Sequence, residues 1–130
     1  MKEEIPQTTE QHDLLGRISN AMVGAQKEFY GKGPPKAKSY LLDNFLLVVM
    51  SDGVLKAERT MLDEGREDLV RNFRQQFENE MCTRFTGMVE EITGRKVINY
   101  QSQIMFDPDM VFEIFIFEPA REDDSSNDDA

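Results

Sequence analysis

The sequence predicts an α+β domain made of two helix–hairpin (αββ) units. Two amphipathic helical patterns occur in the chain, and each is followed by a glycine-containing basic segment and then by two apolar runs joined by a short turn. Because helix, strand and strand follow one another twice, we expect a four-stranded antiparallel sheet packed by helices. This arrangement is like a permuted ferredoxin-like fold.

The first helix is predicted to begin after Thr8, which forms a capping-box pair with Gln11. Its apolar residues recur at spacings of three and four, as expected for one side of a helix: Leu15, Ile18, Met22, Ala25 and Phe29. The helix should end near Tyr30, because Gly31 and Gly33 can terminate it and the two prolines after Gly33 cannot continue it.

The first hairpin is predicted over residues 38–42 and 45–50, with Asp43 and Asn44 in the turn. Its second arm reads FLLVVM and is apolar at both alternating sets of positions. Such a strand should be covered on both faces.

The second helical pattern, over residues 56–93, is the strongest in the chain. Its apolar residues recur about every 3.7 positions, close to the period of a straight helix: Val70, Phe73, Phe77, Met81, Phe85, Met88 and Ile92. One unbroken helix would be about 57 Å long, whereas a domain of this size is about 36 Å across. Either the helix breaks near residues 63–65 or it protrudes and is buried by a second copy. Gly94 should end it.

The second hairpin is predicted over residues 97–106 and 110–117, with the turn at residues 107–109. The first arms of both hairpins carry more polar residues than the second arms, so the second arms should be the central strands. Helices on one side cannot cover both apolar faces of these strands. We therefore predict that a second subunit, an identical one, covers the other face.

Glu113 interrupts the apolar run VFEIFIF of the last strand. A charge in a central strand must be paired, exposed or protonated. Three interpretations remain open: a structural ion pair with Lys36, Lys38 or Arg95, an exposed position, or a ligand or switch site.

Composition excludes several classes of protein. A net charge of -10 opposes binding to nucleic acid. The chain has neither an apolar run long enough to insert in a membrane nor a signal-peptide core, so we expect a cytoplasmic location. A lone Cys82 and the absence of a zinc-ligand pattern favour no metal and no cofactor, and His12 has no catalytic partners in the sequence pattern.

We expect a frayed N-terminus at 1–7, one domain at 8–118 and an acidic disordered tail at 119–130.

The segment YGKGPPKAK is the most basic in the chain. It either ends a helix and starts a strand, or binds a small anion or an acidic partner surface. The candidate partner- or anion-binding residues are Tyr30, Gly31, Lys32, Gly33, Lys36 and Lys38, with Arg66 and Arg95 as further basic groups.

Residues 13–119 resemble the MpsC-like domain family. The most specific matches are Tyr-Gly-Lys-Gly-Pro at 30–34, Glu-Gly-Arg at 64–66, Thr-Gly-Arg at 93–95 and Asp-Pro-Asp at 107–109. The family pattern has a threonine where Leu55 stands, so the long helix is expected to lack its usual cap. The resemblance implies a component that accompanies the membrane subunits of a sodium-translocating, membrane-potential-generating system linked to inorganic-carbon supply. It implies no catalytic residues.

Together these observations favour a non-catalytic accessory protein that acts as a homodimer and binds a partner such as a membrane subunit. The dimer would close through the sheet face or the long helix. The alternative is a sensor or regulatory domain for a small, bicarbonate-like anion. An enzyme is the least favoured class.

Overall fold

The structure is a computed structural model that describes residues 9–33 and 36–119. Its elements are α1 (Thr9–Tyr30), β1 (Lys36–Leu42), β2 (Phe45–Ser51), α2 (Lys56–Asp63), α3 (Glu67–Glu80), α4 (Cys82–Thr93), β3 (Val97–Met105) and β4 (Met110–Phe117). The predicted α+β class and the repeated helix–hairpin order are confirmed. The expected frayed start, the Thr8 cap and the tail beyond residue 119 lie outside the described residues.

The four strands form one antiparallel sheet in the order β1-β2-β4-β3. The two second arms, β2 and β4, are therefore central, as predicted, and they pair from Phe45 with Ile116 to Ser51 with Met110. Asp43 adopts the expected positive φ, 53°, in the first turn. Asn44 in the same turn accepts a hydrogen bond from the backbone N–H of Phe117 at 2.8 Å and so joins the turn to the end of β4. The likeness to a permuted ferredoxin-like fold stays a prediction.

The amphipathic pattern of α1 packs against the sheet largely as predicted. Leu15, Ile18, Met22 and Ala25 are buried, whereas Phe29 is 40% exposed near the end of the helix. The helix ends at Gly31, whose φ is 101° and whose N–H donates to the carbonyl of Lys27 at 3.2 Å.

The long helical pattern breaks twice. The first break, between α2 and α3, lies where it was predicted, and Gly65 supplies the left-handed conformation there with a φ of 79°. The second break, at Met81, was not predicted from the sequence. The N–H of Met81 still bonds to the carbonyl of Phe77, and the N–H of Phe85 bonds to the carbonyl of Met81. Helical hydrogen bonds therefore continue across this kink, and the apolar residues on its two sides keep their helical spacing. The spacing gives no sign of the break in the sequence.

The helical region formed by α2, α3 and α4 begins after Leu55 and ends at Gly94. Leu55 offers no side-chain cap, but its N–H donates to the Glu58 carboxylate at 2.7 Å, which is one half of a capping box. Gly94 ends α4 as predicted, with a φ of 70°.

The hydrophobic core lies between the helices and one face of the sheet. Its wholly buried residues include Phe85 of α4, Phe115 and Phe117 of β4, and Leu46 and Val48 of β2. In the strands, buried positions alternate with more exposed ones, so only one face of the sheet carries the helices.

Phe85 and Phe73 belong to the same apolar stripe in the sequence, but Phe85 is 0% and Phe73 60% exposed. We expect Phe85→Ala to lower the free energy of unfolding by about 3–5 kcal/mol, because it leaves a cavity in the core. Phe73→Ala, the matched control, should cost less than about 1 kcal/mol. Urea denaturation followed by circular dichroism measures both, and equal losses would contradict the assigned core.

Candidate functional site

The face of the sheet turned away from the helices is apolar at its centre. We call it the open face. Its central residues come from β2 and β4 and pair across the strands: Phe45 with Ile116, Leu47 with Ile114, and Val49 with Phe112. Tyr40, Leu42 and Met105 extend this surface, and Phe45 is 49% and Leu42 60% exposed. The structure thus confirms that the helices leave one apolar face of the central strands uncovered within the described residues.

The two edges of the open face differ in chemistry. Lys36 and Lys38 line the β1 edge, and Asn99, Gln101 and Gln103 line the β3 edge. The strand residues that form this face include no aspartate or glutamate. In a chain of net charge -10, an acid-free face is a place where a negatively charged molecule or a second copy meets little repulsion.

The open face, including its polar edges, is similar in area to the largest apolar patch of a typical monomeric protein, and such patches are often functional. Four strands spaced about 4.8 Å apart, each about seven residues long with a rise of about 3.3 Å, cover roughly 440 Å² in projection. Its apolar centre, on β2 and β4, makes up about half of this area, and exposed apolar patches of a few hundred Å² often mark interaction sites. The open face is therefore the candidate interaction surface of this protein.

The basic segment after α1 serves first to build the fold. Tyr30 donates a hydrogen bond to Glu58, and its ring packs on Phe77 with a centroid distance of 4.6 Å. The Lys32 ammonium donates to the carbonyl of Val54 at 3.2 Å. A Cβ at Gly33 would come within 3.1 Å of the Lys27 side chain. These contacts fit the interpretation of this segment as a helix end and turn, while its binding role stays a prediction.

The other predicted site residues do not all lie together. Lys36 is at the end of β1 paired with Ser51, whereas Arg95 donates to the carbonyl of Asp43, beyond the opposite end of β1. Seven residues of strand separate these ends by about 20 Å.

The remaining two basic residues have local contacts of their own. Lys38 lies over the ring of Tyr40 at 5.6 Å. Arg66 lies in the α2–α3 turn, 3.8 Å from Asp68. Of the basic candidates, Lys32 and Lys36 therefore share one end of the sheet, and Arg95 is remote from it.

A small cavity of about 20 Å³ lies near Lys32. Its lining includes Gln26, Arg74, Ile104, Asp109 and Val111. This volume holds about one water molecule, so the cavity does not accommodate a larger ligand as it stands.

A buried ion pair links α2 to α3 beside this cavity. Arg74 bonds to both carboxylate oxygens of Glu58, at 2.9 and 3.0 Å, and donates to the carbonyl of Gly53 at 2.7 Å. Arg74 is 5% and Glu58 8% exposed. The Arg74 guanidinium also lies 4.5 Å from the ring centre of Tyr30, so this pair joins three helices and the loop before α2.

A second buried polar group lies deeper, between α3 and the sheet. Glu113 is 0% and Glu78 1% exposed. The Tyr100 hydroxyl bonds to Glu113 Oε1 and lies 3.3 Å from Glu78 Oε1, and Gln26 Nε2 donates to Glu78 Oε2 at 3.2 Å. We call Gln26, Glu78, Tyr100 and Glu113 the buried carboxyl cluster.

The environment of this cluster disfavours charge. Burial, and secondarily the neighbouring Glu78, raise the pKa of Glu113 well above its usual range. Burial, and then the two carboxyl groups, also raise the pKa of Tyr100. Of the three interpretations of Glu113, the ion pair with Lys36, Lys38 or Arg95 and the exposed position are both wrong, because the residue is buried and contacts Tyr100.

Sequence reasoning singled out Glu113 but missed its partners. The interruption of an apolar strand was a visible signal, whereas Glu78 and Arg74 stand in a helix rich in charged residues, where nothing distinguishes a buried charge from a solvated one. Gln26 is likewise buried on the edge of the apolar stripe of α1.

Residues 9–33 and 36–119 contain no group of three or more His, Cys, Asp or Glu side chains placed to hold a metal. They also contain no helix with the length and hydrophobicity needed to cross a membrane. Cys82 is a free, half-buried thiol, and His12 is exposed near the start of α1.

Comparison with protein families gives a match to the family described as the Na+-translocating membrane potential-generating system (MpsC). Comparisons with curated proteins and with solved structures found no match. The family match extends over residues 10–119 and so includes the whole sheet and all four helices except the first residue of α1. The protein therefore belongs to the MpsC family, as the resemblance of its sequence motifs predicted.

Proposed function

We propose that this protein is a non-catalytic, cytoplasmic accessory component of a Na+-translocating, membrane-potential-generating system connected with inorganic-carbon supply, and that it works as a homodimer joined through its open face. Family membership supports the system. The observation that carries the dimer is the apolar, acid-free open face of the sheet.

Charge favours a second copy as the occupant of this face. Two chains of net charge -10 repel each other over most of their surfaces, but the open faces bring no carboxylate against carboxylate. A two-fold axis parallel to the strands would set the lysine edge of one copy, Lys36 and Lys38, over the amide edge of the other. Like charges would then not meet, and two sheets would pack face to face as in a β-sandwich.

The helices are the less suitable dimer interface. The long helical pattern is divided into α2, α3 and α4, and most of its apolar stripe is already used in the core of one chain. A dimer through the sheet leaves the helical layer facing outward, with Phe29, Leu69 and Phe73 among its exposed apolar residues. In the proposed function this outer layer binds the partner, a membrane subunit of the system.

Sedimentation equilibrium of Ile114→Asp tests the dimer. Ile114 lies at the centre of the open face, opposite Leu47 and Gln101, so a charge there should prevent two sheets from packing. We expect the variant to sediment as a monomer, with a dissociation constant raised at least about 100-fold, equivalent to roughly 2.7 kcal/mol.

Gln76→Asp, on the exposed face of α3, is the matched control and should remain dimeric. Phe45→Glu, at the half-exposed rim of the open face, repeats the test if Ile114→Asp fails to fold. A folded open-face variant with the mass of the wild-type dimer would contradict the proposed interface.

The second candidate function, an anion sensor, is favoured by one observation: Lys32 and Lys36 lie at the same end of the sheet, so an anion could bind at the surface between them, outside the small cavity. Bicarbonate at about ten times its dissociation constant would stabilise the protein by roughly 1.4 kcal/mol, which raises the melting temperature by a few degrees.

This stabilisation should saturate, and it should be lost when Lys32→Ala and Lys36→Ala are combined. Arg95→Ala, at the far end of the sheet, should retain it. Thermal denaturation in bicarbonate against chloride at equal ionic strength measures the effect, and an equal response to both salts would exclude a specific site.

A further inference from the structure

The helix-facing side of the sheet contains one polar row within an apolar layer. Ser39, Val48, Glu113 and Ser102 lie side by side across the four strands. Ser39 bonds to Ser19 of α1 at 2.8 Å, whereas Ser102 Oγ and Glu113 Oε2 are buried with no hydrogen-bond partner among the described residues. The row therefore has unused hydrogen-bonding capacity at its Glu113 end.

The contacts of Tyr100 require a proton that the tyrosine cannot supply. Its oxygen lies in hydrogen-bond contact with Glu113 Oε1 and with Glu78 Oε1. A phenol has a single O–H, so it donates to one carboxyl group only. The contact with the other group is a hydrogen bond only if that carboxyl group is protonated and donates to the tyrosine oxygen. The geometry thus accounts for both contacts when the two glutamates hold one proton between them.

The charged groups around the cluster do not replace this proton. None of the ion pairs of the described residues includes Glu78 or Glu113. On α3, Arg74 lies one turn before Glu78 but is bonded to Glu58 of α2.

The other elements around the cluster present neutral groups. From α1 comes Gln26, from β2 the side chain of Val48, from α4 the ring of Phe85 beside Tyr100, and from β3 Tyr100 and Ser102. Two carboxylates in this setting would carry an uncompensated buried charge, which is costly.

We propose that Glu78 and Glu113 form a buried proton-binding site, bridged by Tyr100, whose protonated state holds α3 against the sheet and whose deprotonation loosens this contact. Glu78 belongs to α3 and Glu113 to the central strand β4, so repulsion between two carboxylates acts directly across the helix–sheet boundary. Gln26 borders both Glu78 and the small cavity, so the cluster lies next to a space large enough for about one water molecule.

The sign of the pH dependence follows from the preference for the protonated state. Burial raises the pKa of Glu113 in the folded protein above its unfolded value, so the folded state binds more protons between these two values. Stability should be fully present below the unfolded pKa of about 4.3 and should fall as pH rises through the folded pKa. For one proton, the equilibrium constant of unfolding increases about tenfold per pH unit in this window.

Urea denaturation of the full chain between pH 5 and 8 tests the proposal. In the wild type, the equilibrium constant of unfolding should rise with pH in this range. Glu113→Gln should lose this pH dependence, because the amide keeps the size of the side chain but cannot ionise. Glu78→Gln should lower the pH at which the rise levels off, since the neighbouring carboxyl group no longer raises the pKa of Glu113 but burial still does. Glu91→Gln, an exposed glutamate of α4, is the control and should keep the wild-type slope.

Hydrogen exchange of the α3 amides, corrected for intrinsic rates, supplies a second readout. Protection of α3 should fall from pH 6 to pH 8 in the wild type and stay constant in Glu113→Gln. Equal slopes and equal α3 protection in the wild type and Glu113→Gln would overturn the proposal. If Glu113→Gln does not fold, a rise that levels off at the same pH in Glu78→Gln as in the wild type would overturn it as well.

Discussion

The structure depends on one constraint: its sheet is apolar on both faces, while its helices cover one. The central strands β2 and β4 carry large apolar side chains at nearly every position, and every buried aromatic of β4 lies on the helical side. The hydrophobic effect that forms the core therefore also leaves Phe112, Ile114 and Ile116 on a surface that water does not favour. A partner for that surface is the simplest way to complete the fold.

The helical layer buries ionisable groups at two places: the Arg74–Glu58 pair and the buried carboxyl cluster. The pair of Arg74 and Glu58 gathers Tyr30 and Gly53 around it, so the tyrosine of the Tyr-Gly-Lys-Gly-Pro segment acts in the fold. Buried pairs add little net stability, but breaking one is costly. Such contacts fix how α1, α2 and α3 meet, and the carboxyl cluster fixes α3 on the sheet in a manner that depends on protonation.

Much of the fold could be predicted from the sequence, because the signals that encode it are local. Alternating apolar runs and Asp43-Asn44 located the first hairpin, polar first arms indicated the strand order, and Gly65 marked a helix break. The kink at Met81 could not be predicted, since hydrogen bonds and apolar spacing both run through it. The exposure of Phe73 could not be predicted either. Its place in the apolar stripe does not show whether another element of the fold covers that part of α3.

The candidate sites were less predictable, because they join residues far apart in the sequence. An uncovered apolar face could be predicted, because the central strands are apolar on both faces. That this face carries no acidic residue could be seen only once the register of all four strands was known. Glu113 was visible as an anomaly, whereas its contacts with Tyr100 and Glu78 depend on tertiary packing. Basic residues grouped by charge alone, such as Lys36 and Arg95, proved to lie at opposite ends of the sheet.

The central claim, that a second copy covers the open face, is tested most directly by the solution mass of the wild-type chain. Light scattering over a dilution series at moderate salt gives this mass without any substitution. The account predicts a stable mass of about 30 kDa, twice the 15.0 kDa of one chain. A mass of 15.0 kDa at every concentration would contradict it.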